Sequence, residues 1–230
     1  MENKTGKYFK YAIGEIILVV IGILIALQIN NWNENRKQSN IIQNYYYQLE
    51  EDLDDETDNL KDKISRISES IASYEQYLEL TKESNLELIE MINALTIVKL
   101  AFWYPSFNSN TIGTLESTGD IKLIPAHIRQ KLISLVRKQE GIVSQANGNY
   151  SVYLSDLQKA GNLGFYRNNY RLKENSHLNY TENYPEIIMT LENSLNLKHY
   201  TEKEQINKLE QMLNNVIELK ELIDIEINKK

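Results

Sequence analysis

The apolar run near the N-terminus constrains this chain more than any other feature of its sequence. It covers residues 11–29, and the part from 16 to 27 contains no charged residue. An α-helix needs roughly 20 apolar residues to cross a hydrocarbon core of about 30 Å. Glu15 is the one charged residue in the run, and it lies near one end, where a carboxylate can reach the membrane interface. The sequence therefore predicts a transmembrane helix over residues 11–29.

A cleaved secretory signal peptide is the alternative interpretation of this run. Such peptides have an apolar region of about 7–15 residues that ends in a small-x-small cleavage site. Here the run is longer, and it ends in ALQIN, which offers no such site. We therefore expect a signal anchor that stays in the membrane. The chain has no cysteine, so lipid attachment as a bacterial lipoprotein is excluded.

The basic residues that flank the run predict its orientation. Three lysines precede it and two basic residues follow closely, namely Lys4, Lys7, Lys10, Arg36 and Lys37. Because basic residues favour the cytoplasmic side, we expect a single-pass protein of the inner (cytoplasmic) membrane. Residues 1–10 would form a short cytoplasmic tail, and the C-terminal domain would lie in the periplasm. Trp32 is the predicted anchor at the membrane interface.

The remainder of the chain reads as all-α. Three prolines and nine glycines in 230 residues are few for a turn-rich β fold. A juxtamembrane connector covers 30–40, and its four asparagines at 30–35 suggest a kink or break. After it, apolar residues recur every three or four positions with one stutter. They are Ile42, Tyr46, Leu49, Leu53, Thr57, Leu60, Ile64, Ile67, Ile71, Tyr74 and Leu78. We expect the transmembrane helix to continue into a long amphipathic helix, followed by an antiparallel helical bundle, the extracytoplasmic domain being residues 41–230.

Capping and breaking residues predict the later helices. Ser84 or Asn85 would cap a helix through residue 100, and a short helix over 111–117 would stop at Gly119. A long helix would run from 125 to 161 with Ile128, Leu132 and Leu135 on its buried face, followed by a loop over 161–184. Further helices would span 185–199 and the region after a capping box at Thr201 and Glu204.

Two stretches of sequence resemble a known family. The first is YAIGEIILVVIGILIALQINNWNENRK over residues 11–37, and the second is TIGTLESTGDIKLI over 111–124. Both are similar to patches of a family of single-span membrane proteins from Bacteroidota. In the second patch this chain has Thr118 where that family usually has a second serine. The resemblance covers the whole chain. It implies an inner-membrane anchor with a periplasmic helical domain, and it implies no activity.

One face of the predicted span is the first candidate for function. Glu15, Gly22 and Ala26 share that face by helical spacing. A small-x-x-x-small pair permits close helix approach, and an ionisable group within a span points to a partner. The alternative is a carboxylate that reaches the headgroups beside small residues that merely fit among lipids.

Other features of the extracytoplasmic part allow two interpretations each. The acidic run over 50–58 is either a calcium or basic-partner site or a solvated helix face, and the latter is favoured because it lacks the glycine of calcium loops. Ser117, Gly119 and Asp120 form either a helix stop or a contact for a ligand or partner. Trp103, among aromatic residues at 102–107, belongs either to a binding patch or to a closed bundle end.

No catalytic motif or cofactor-binding pattern is found in the sequence. The three histidines lack metal-ligand spacing, and the net charge of −7 argues against nucleic-acid binding. We therefore expect no enzyme activity, cofactor or metal. The leading hypothesis is a non-catalytic interaction or scaffold module that is oligomeric, with the lipid bilayer and either itself or another membrane protein as partners. The alternative is an extracytoplasmic ligand-sensing bundle that signals through a partner protein.

Overall fold

The computed structural model describes residues 4–82, 85–165 and 180–229 and is all-α over them, with no strand. Within these residues five α-helices follow one another: α1 Lys4–Leu80, α2 Leu88–Leu95, α3 Asn110–Thr118, α4 Ala126–Asn162 and α5 Tyr184–Ile227. Short 3-10 turns precede α4 at Asp120–Leu123 and α5 at Tyr180–Asn183. The predicted fold class is confirmed.

Helix α1 carries both the apolar run and the core stripe without interruption over 77 residues. Within the described residues, one helix is long and apolar enough to cross a membrane, judged by length and composition, and its apolar stretch is not buried. The expected break among the asparagines at 30–35 is wrong. Asparagine costs well under 1 kcal/mol relative to alanine in a helix, whereas a helix end leaves several carbonyl groups unpaired. Asn33 also accepts a hydrogen bond of 3.3 Å from Arg36, whose guanidinium lies 5.1 Å from the Trp32 ring centroid.

The predicted apolar stripes form the core. On α1 the stripe is buried or half-buried from Ile42 to Tyr74, but Leu78 is 45% exposed and Tyr77 takes the buried position instead. Helix α4 buries eight residues, namely Ile128, Leu132, Leu135, Gln139, Ile142, Ala146, Tyr153 and Ala160. A larger cluster near the span and a smaller one near the far end together make the bundle interior.

Helix α5 runs antiparallel to both α1 and α4. It meets α1 near the span, where the Gln43 side chain donates to the Glu226 carbonyl at 3.4 Å. It meets α4 at both ends of that helix, through Lys131–Glu218 and Lys159–Glu186 ion pairs of 2.7 and 3.0 Å. Helices α1 and α4 therefore run in the same direction, away from the span, and pack far less closely against each other than against α5.

Several predicted helix ends are wrong. Helix α2 starts at Leu88, where the Glu90 side chain accepts a 2.9 Å hydrogen bond from the Glu87 backbone, and it ends at Leu95 instead of Leu100. Ser84 and most of the predicted 161–184 loop lie outside the described residues. The predicted break before Thr201 does not occur, because α5 is continuous and the Thr201 hydroxyl donates to the Lys198 carbonyl at 2.9 Å. With no glycine or proline after Pro185 in α5, the buried face continues through this point.

Gly119 ends α3, as the sequence predicts, with a left-handed φ of 76°. We expect Gly119→Ala to lower the free energy of unfolding by about 1–2 kcal/mol, because a Cβ is strained in this conformation. Gly148→Ala is the matched control, since Gly148 lies inside α4 with no atom within 4 Å of an added Cβ. It should raise stability by roughly 0.5–1 kcal/mol. Urea unfolding of the full chain in detergent measures both, and equal effects would contradict the assignment.

Candidate functional site

The segment between α2 and α3, residues 96–109, begins with a turn at 96–98, continues without regular secondary structure and contacts both α1 and α4; we call it the strap. At the upper end of the strap, which is the end farther from the apolar run, the Lys99 backbone N–H donates to the Ser73 hydroxyl at 2.9 Å. Just beyond its lower end, the Thr111 N–H donates to Asp52 at 2.9 Å. The 21 residues of α1 between these contacts rise about 31 Å. Only 12 residues separate Lys99 from Thr111 over the same distance. The strap is therefore mostly extended, and it runs antiparallel to α1.

The lower half of the strap is held by buried charged side chains of α1. Lys63 and Asn59 both donate to the Ser106 carbonyl, the latter at 3.1 Å, and the Asn108 N–H donates to the Glu56 carboxylate at 3.1 Å. Glu56 and Lys63 are almost completely buried. Burial raises the pKa of Glu56, and the hydrogen bond from Asn108 offsets part of that rise. Burial likewise lowers the pKa of Lys63, and the nearby Glu56 charge opposes that change.

The upper half of the strap is held by a buried ion pair of α5. Lys198 lies 2.7 Å from Glu202, one helical turn along, and both side chains are buried. The Lys198 ammonium also donates to the Ser70 hydroxyl and, at 3.3 Å, to the Lys99 carbonyl. Burial raises the pKa of Glu202, and the charge of Lys198 opposes this. The Lys198 ammonium therefore contacts the Glu202 carboxylate, the Ser70 hydroxyl of α1 and the strap backbone at the same time.

The aromatic residues of the strap do not form one patch. Trp103 is half-buried against the core with the Arg66 guanidinium 4.7 Å from its ring centroid, and the Lys63 ammonium lies 4.3 Å from that of Phe107. Phe102 instead packs on Tyr150, with 5.0 Å between ring centroids. Cation–π contacts of this kind stabilise by about 0.5–2 kcal/mol each. Trp103 therefore joins the strap to the core and to Arg66 of α1.

The predicted turn at Ser117, Gly119 and Asp120 lies at the end of the bundle nearest the span. Asp120 accepts a hydrogen bond of 2.9 Å from the Tyr45 hydroxyl, which ties the turn to α1. Ser117 remains exposed, and its hydroxyl donates to the Thr114 carbonyl at 3.0 Å. Sequence reasoning missed Tyr45, because one of three consecutive tyrosines gives no signal of its partner.

The acidic run is only in part a solvated helix face. Asp52 and Glu56, one turn apart on α1, both accept hydrogen bonds from the chain at 108–111, whereas Glu51, Asp55 and Asp58 are exposed. Within the described residues, no group of three or more potential metal ligands is found.

The three histidines lie apart in the chain. His199 packs on Tyr74, with 4.9 Å between ring centroids, and its pKa is lowered by burial. His127 is exposed, and His177 lies outside the described residues.

The predicted span face is exposed on α1. Glu15, Gly22 and Ala26 are all exposed, and a Cβ added at Gly22 would meet nothing within 4 Å. Trp32 is 62% exposed one turn beyond the apolar run. The chain therefore offers this face to lipid or to another molecule.

Comparison with known proteins matches residues 15–183 to a family model described as a family of unknown function, DUF6090. The chain belongs to this family. The match contains the apolar run after Glu15, the strap and all of α4, whereas α5, which supplies Lys198 and Glu202, lies beyond it. No curated protein and no solved structure matches the chain significantly.

We expect Lys198→Met to lower the free energy of unfolding by about 3–5 kcal/mol, because it leaves the Glu202 carboxylate buried without its cation. Lys198→Met combined with Glu202→Leu should recover most of that loss, since neither charge of this pair then remains. Lys203→Met is the matched control: its pair with Glu75 is exposed at 2.8 Å and should change stability by less than about 1 kcal/mol. Thermal unfolding of the three variants measures these changes. Similar losses of stability for Lys198→Met and Lys203→Met would contradict the role of burial.

Proposed function

We propose that this member of DUF6090 is a single-pass inner-membrane protein whose periplasmic bundle is a non-catalytic interaction or scaffold module. The observation that carries the proposal is the continuity of α1, which is the exposed apolar helix at one end and the central core helix at the other. The resemblance of the anchor to that of single-span proteins of Bacteroidota agrees with it. A helix shared in this way holds the bundle at a defined distance from the bilayer.

The span face supplies the contact with a partner. Glu15, Gly22 and Ala26 lie on one side of α1, and small residues allow a second helix to approach closely. A carboxylate near the end of the span gains from a hydrogen-bond donor on that second helix. Self-association or association with another membrane protein follows from this chemistry, with the bilayer as the surrounding solvent.

The absence of catalysis in this proposal is supported by what the buried charged groups do. Glu56 and Lys63 bind the strap from α1, and Lys198 binds it from α5 while Glu202 balances its charge. A catalytic acid, base or nucleophile has to reach a substrate. These four groups are instead committed to the protein's own backbone and to each other.

A second function, ligand sensing, is favoured by one observation. A cleft of about 340 Å³ lies at the base of the bundle, lined by polar side chains that include Gln38, Gln43 and Lys229. A small ligand there would bind next to the junction of span and bundle. Screening the full chain in detergent against periplasmic metabolites tests this, since a saturable rise in melting temperature that Gln38→Leu abolishes would support sensing. If no metabolite gives a saturable rise in melting temperature, only the interaction module remains as the proposed function.

The proposed orientation predicts which side of the membrane each end faces. The chain lacks cysteine, so single cysteines report cleanly. We expect Asn214→Cys, on the exposed side of α5, to react with a membrane-impermeant maleimide in cells with a permeabilised outer membrane. Lys4→Cys should react only after lysis. The reverse pattern would contradict the orientation.

The span face predicts how association depends on sequence. We expect Gly22→Leu to reduce association of the full chain in membranes roughly tenfold, because leucine prevents close approach, and Glu15→Leu to reduce it less. Val20→Leu is the matched control, since it adds volume on the opposite side of the same helix. In-cell crosslinking followed by affinity capture provides the measurement. Equal yields for Gly22→Leu and Val20→Leu would show that this face is not the interface.

A further inference from the structure

Two exposed helix faces of the bundle carry opposite charge. On α1, Glu51, Asp55 and Asp58 lie on the side opposite the buried stripe, and we call them the acidic face. Their spacing of four and three residues places them on one side of the helix. Among the described residues none of the three forms an ion pair, whereas the neighbouring Asp54 pairs with Lys220. Between 50 and 62 the chain has eight acidic residues and one basic residue.

The opposite charge lies on the outer side of α4. Arg137 and Lys138 are exposed, make no ion pair within the described part of the chain, and form what we call the basic face. Between 126 and 140 there are four basic residues and one acidic residue, Glu140. Ser134 and Gly141, about one turn on either side of Arg137, are exposed and small, so a second helix can approach closely there.

The basic face lies near the upper end of the acidic face, where upper means farther from the apolar run. Helix α5 provides the scale, because its Lys220 pairs with Asp54 of α1 and its Glu218 pairs with Lys131 of α4. Two residues of a helix rise about 3 Å, so Lys131 lies about 3 Å above Asp54. Asp58 is four residues above Asp54, and Arg137 is six residues above Lys131. Arg137 therefore lies about 6 Å above Asp58, a difference that long side chains can bridge, and farther above Asp55 and Glu51.

We propose that copies of this chain associate side by side, with the acidic face of one copy against the basic face of the next. The inference rests on the proposed membrane anchoring, because anchored copies share one orientation. Helix α1 of one copy then runs parallel to α4 of its neighbour, with Asp58 at the upper end of the acidic face closest to Arg137 and Lys138. Contact between two different faces is heterologous, so it produces closed rings or open rows. Exposed pairs of this kind are weak and are screened by salt.

Paired cysteines detect this contact in membranes. Ser65 of α1 and Ser144 of α4 are exposed, uncharged, and about eleven and thirteen residues above the level of Asp54 and Lys131. Two full-length copies are co-expressed, one with Ser65→Cys and the other with Ser144→Cys, and treated with a short bismaleimide. We expect a crosslinked dimer whose yield falls at high salt. Ser65→Cys with Asn214→Cys, on α5, is the matched control and should give little dimer.

Charge reversal then tests the chemistry. Reversing the acidic face (Glu51→Lys, Asp55→Lys and Asp58→Lys) or the basic face (Arg137→Glu and Lys138→Glu) in both copies should each lower the yield roughly tenfold. Combining both reversals in every chain should restore it, because the charges again match. The restored chain also shows that the substituted bundle folds.

The outcomes separate this inference from the proposed function. Unchanged yield on charge reversal, no recovery on combining the reversals, or equal yield in the α5 control would each overturn the side-by-side contact. If Gly22→Leu alone lowers association while charge reversal does not, the span remains the interaction surface and only the charged contact fails. If charge reversal acts as expected while Gly22→Leu has no effect, the bundle makes the contact without the span face.

Discussion

An irregular segment packed along a helical bundle lacks the hydrogen-bond partners that a helix supplies to its own backbone. Backbone N–H and C=O groups that are shielded from water without a partner are costly, and side chains of the neighbouring helices satisfy several half-buried groups of the strap. Lys63 and Lys198 donate to strap carbonyl groups, and Glu56 and Ser73 accept from strap N–H groups. The buried charges of this protein therefore follow from having a strap in the place where a fourth helix would pack.

The α1 positions that contact the strap and α5 form a row with a period of seven residues. Glu56, Lys63, Ser70 and Tyr77 are all buried, and Leu49 begins the same row. Lys63 and Glu56 bind the strap, Ser70 accepts from Lys198, and the Tyr77 hydroxyl donates to Glu192. This polar row runs beside the apolar stripe, so α1 binds the strap and part of α5 through hydrogen bonds while its apolar stripe packs in the core. Burying charge in such a row costs stability, but it sets the position of the strap along the helix.

Periodicity predicted the long helices well, because burial of one face repeats every three or four residues and survives local sequence variation. Local signals were less reliable. The asparagines at 30–35 and the capping pattern at Thr201 favour helix ends, yet the helix continues through both. Asparagine costs only a few tenths of a kcal/mol, less than a helix end would, and the buried face of α5 continues past Thr201. The strap has no period, so the sequence could not place it. A signal for its partners was present in Glu56, Lys63 and Ser70, whose seven-residue spacing at core positions distinguishes them from solvated residues.

The polar row also bears on how the span and bundle work together. Glu56 and Lys63 are seven residues apart and therefore lie on the same side of α1. Rotation of α1 about its axis would move both away from the strap and leave both charges without their partners. The Tyr45–Asp120 hydrogen bond opposes the same rotation nearer the span. Signalling by rotation of α1 within the bundle would have to break these contacts together. Movement of the bundle and span as one body breaks none of them, which favours a scaffold over a sensor of the rotating type.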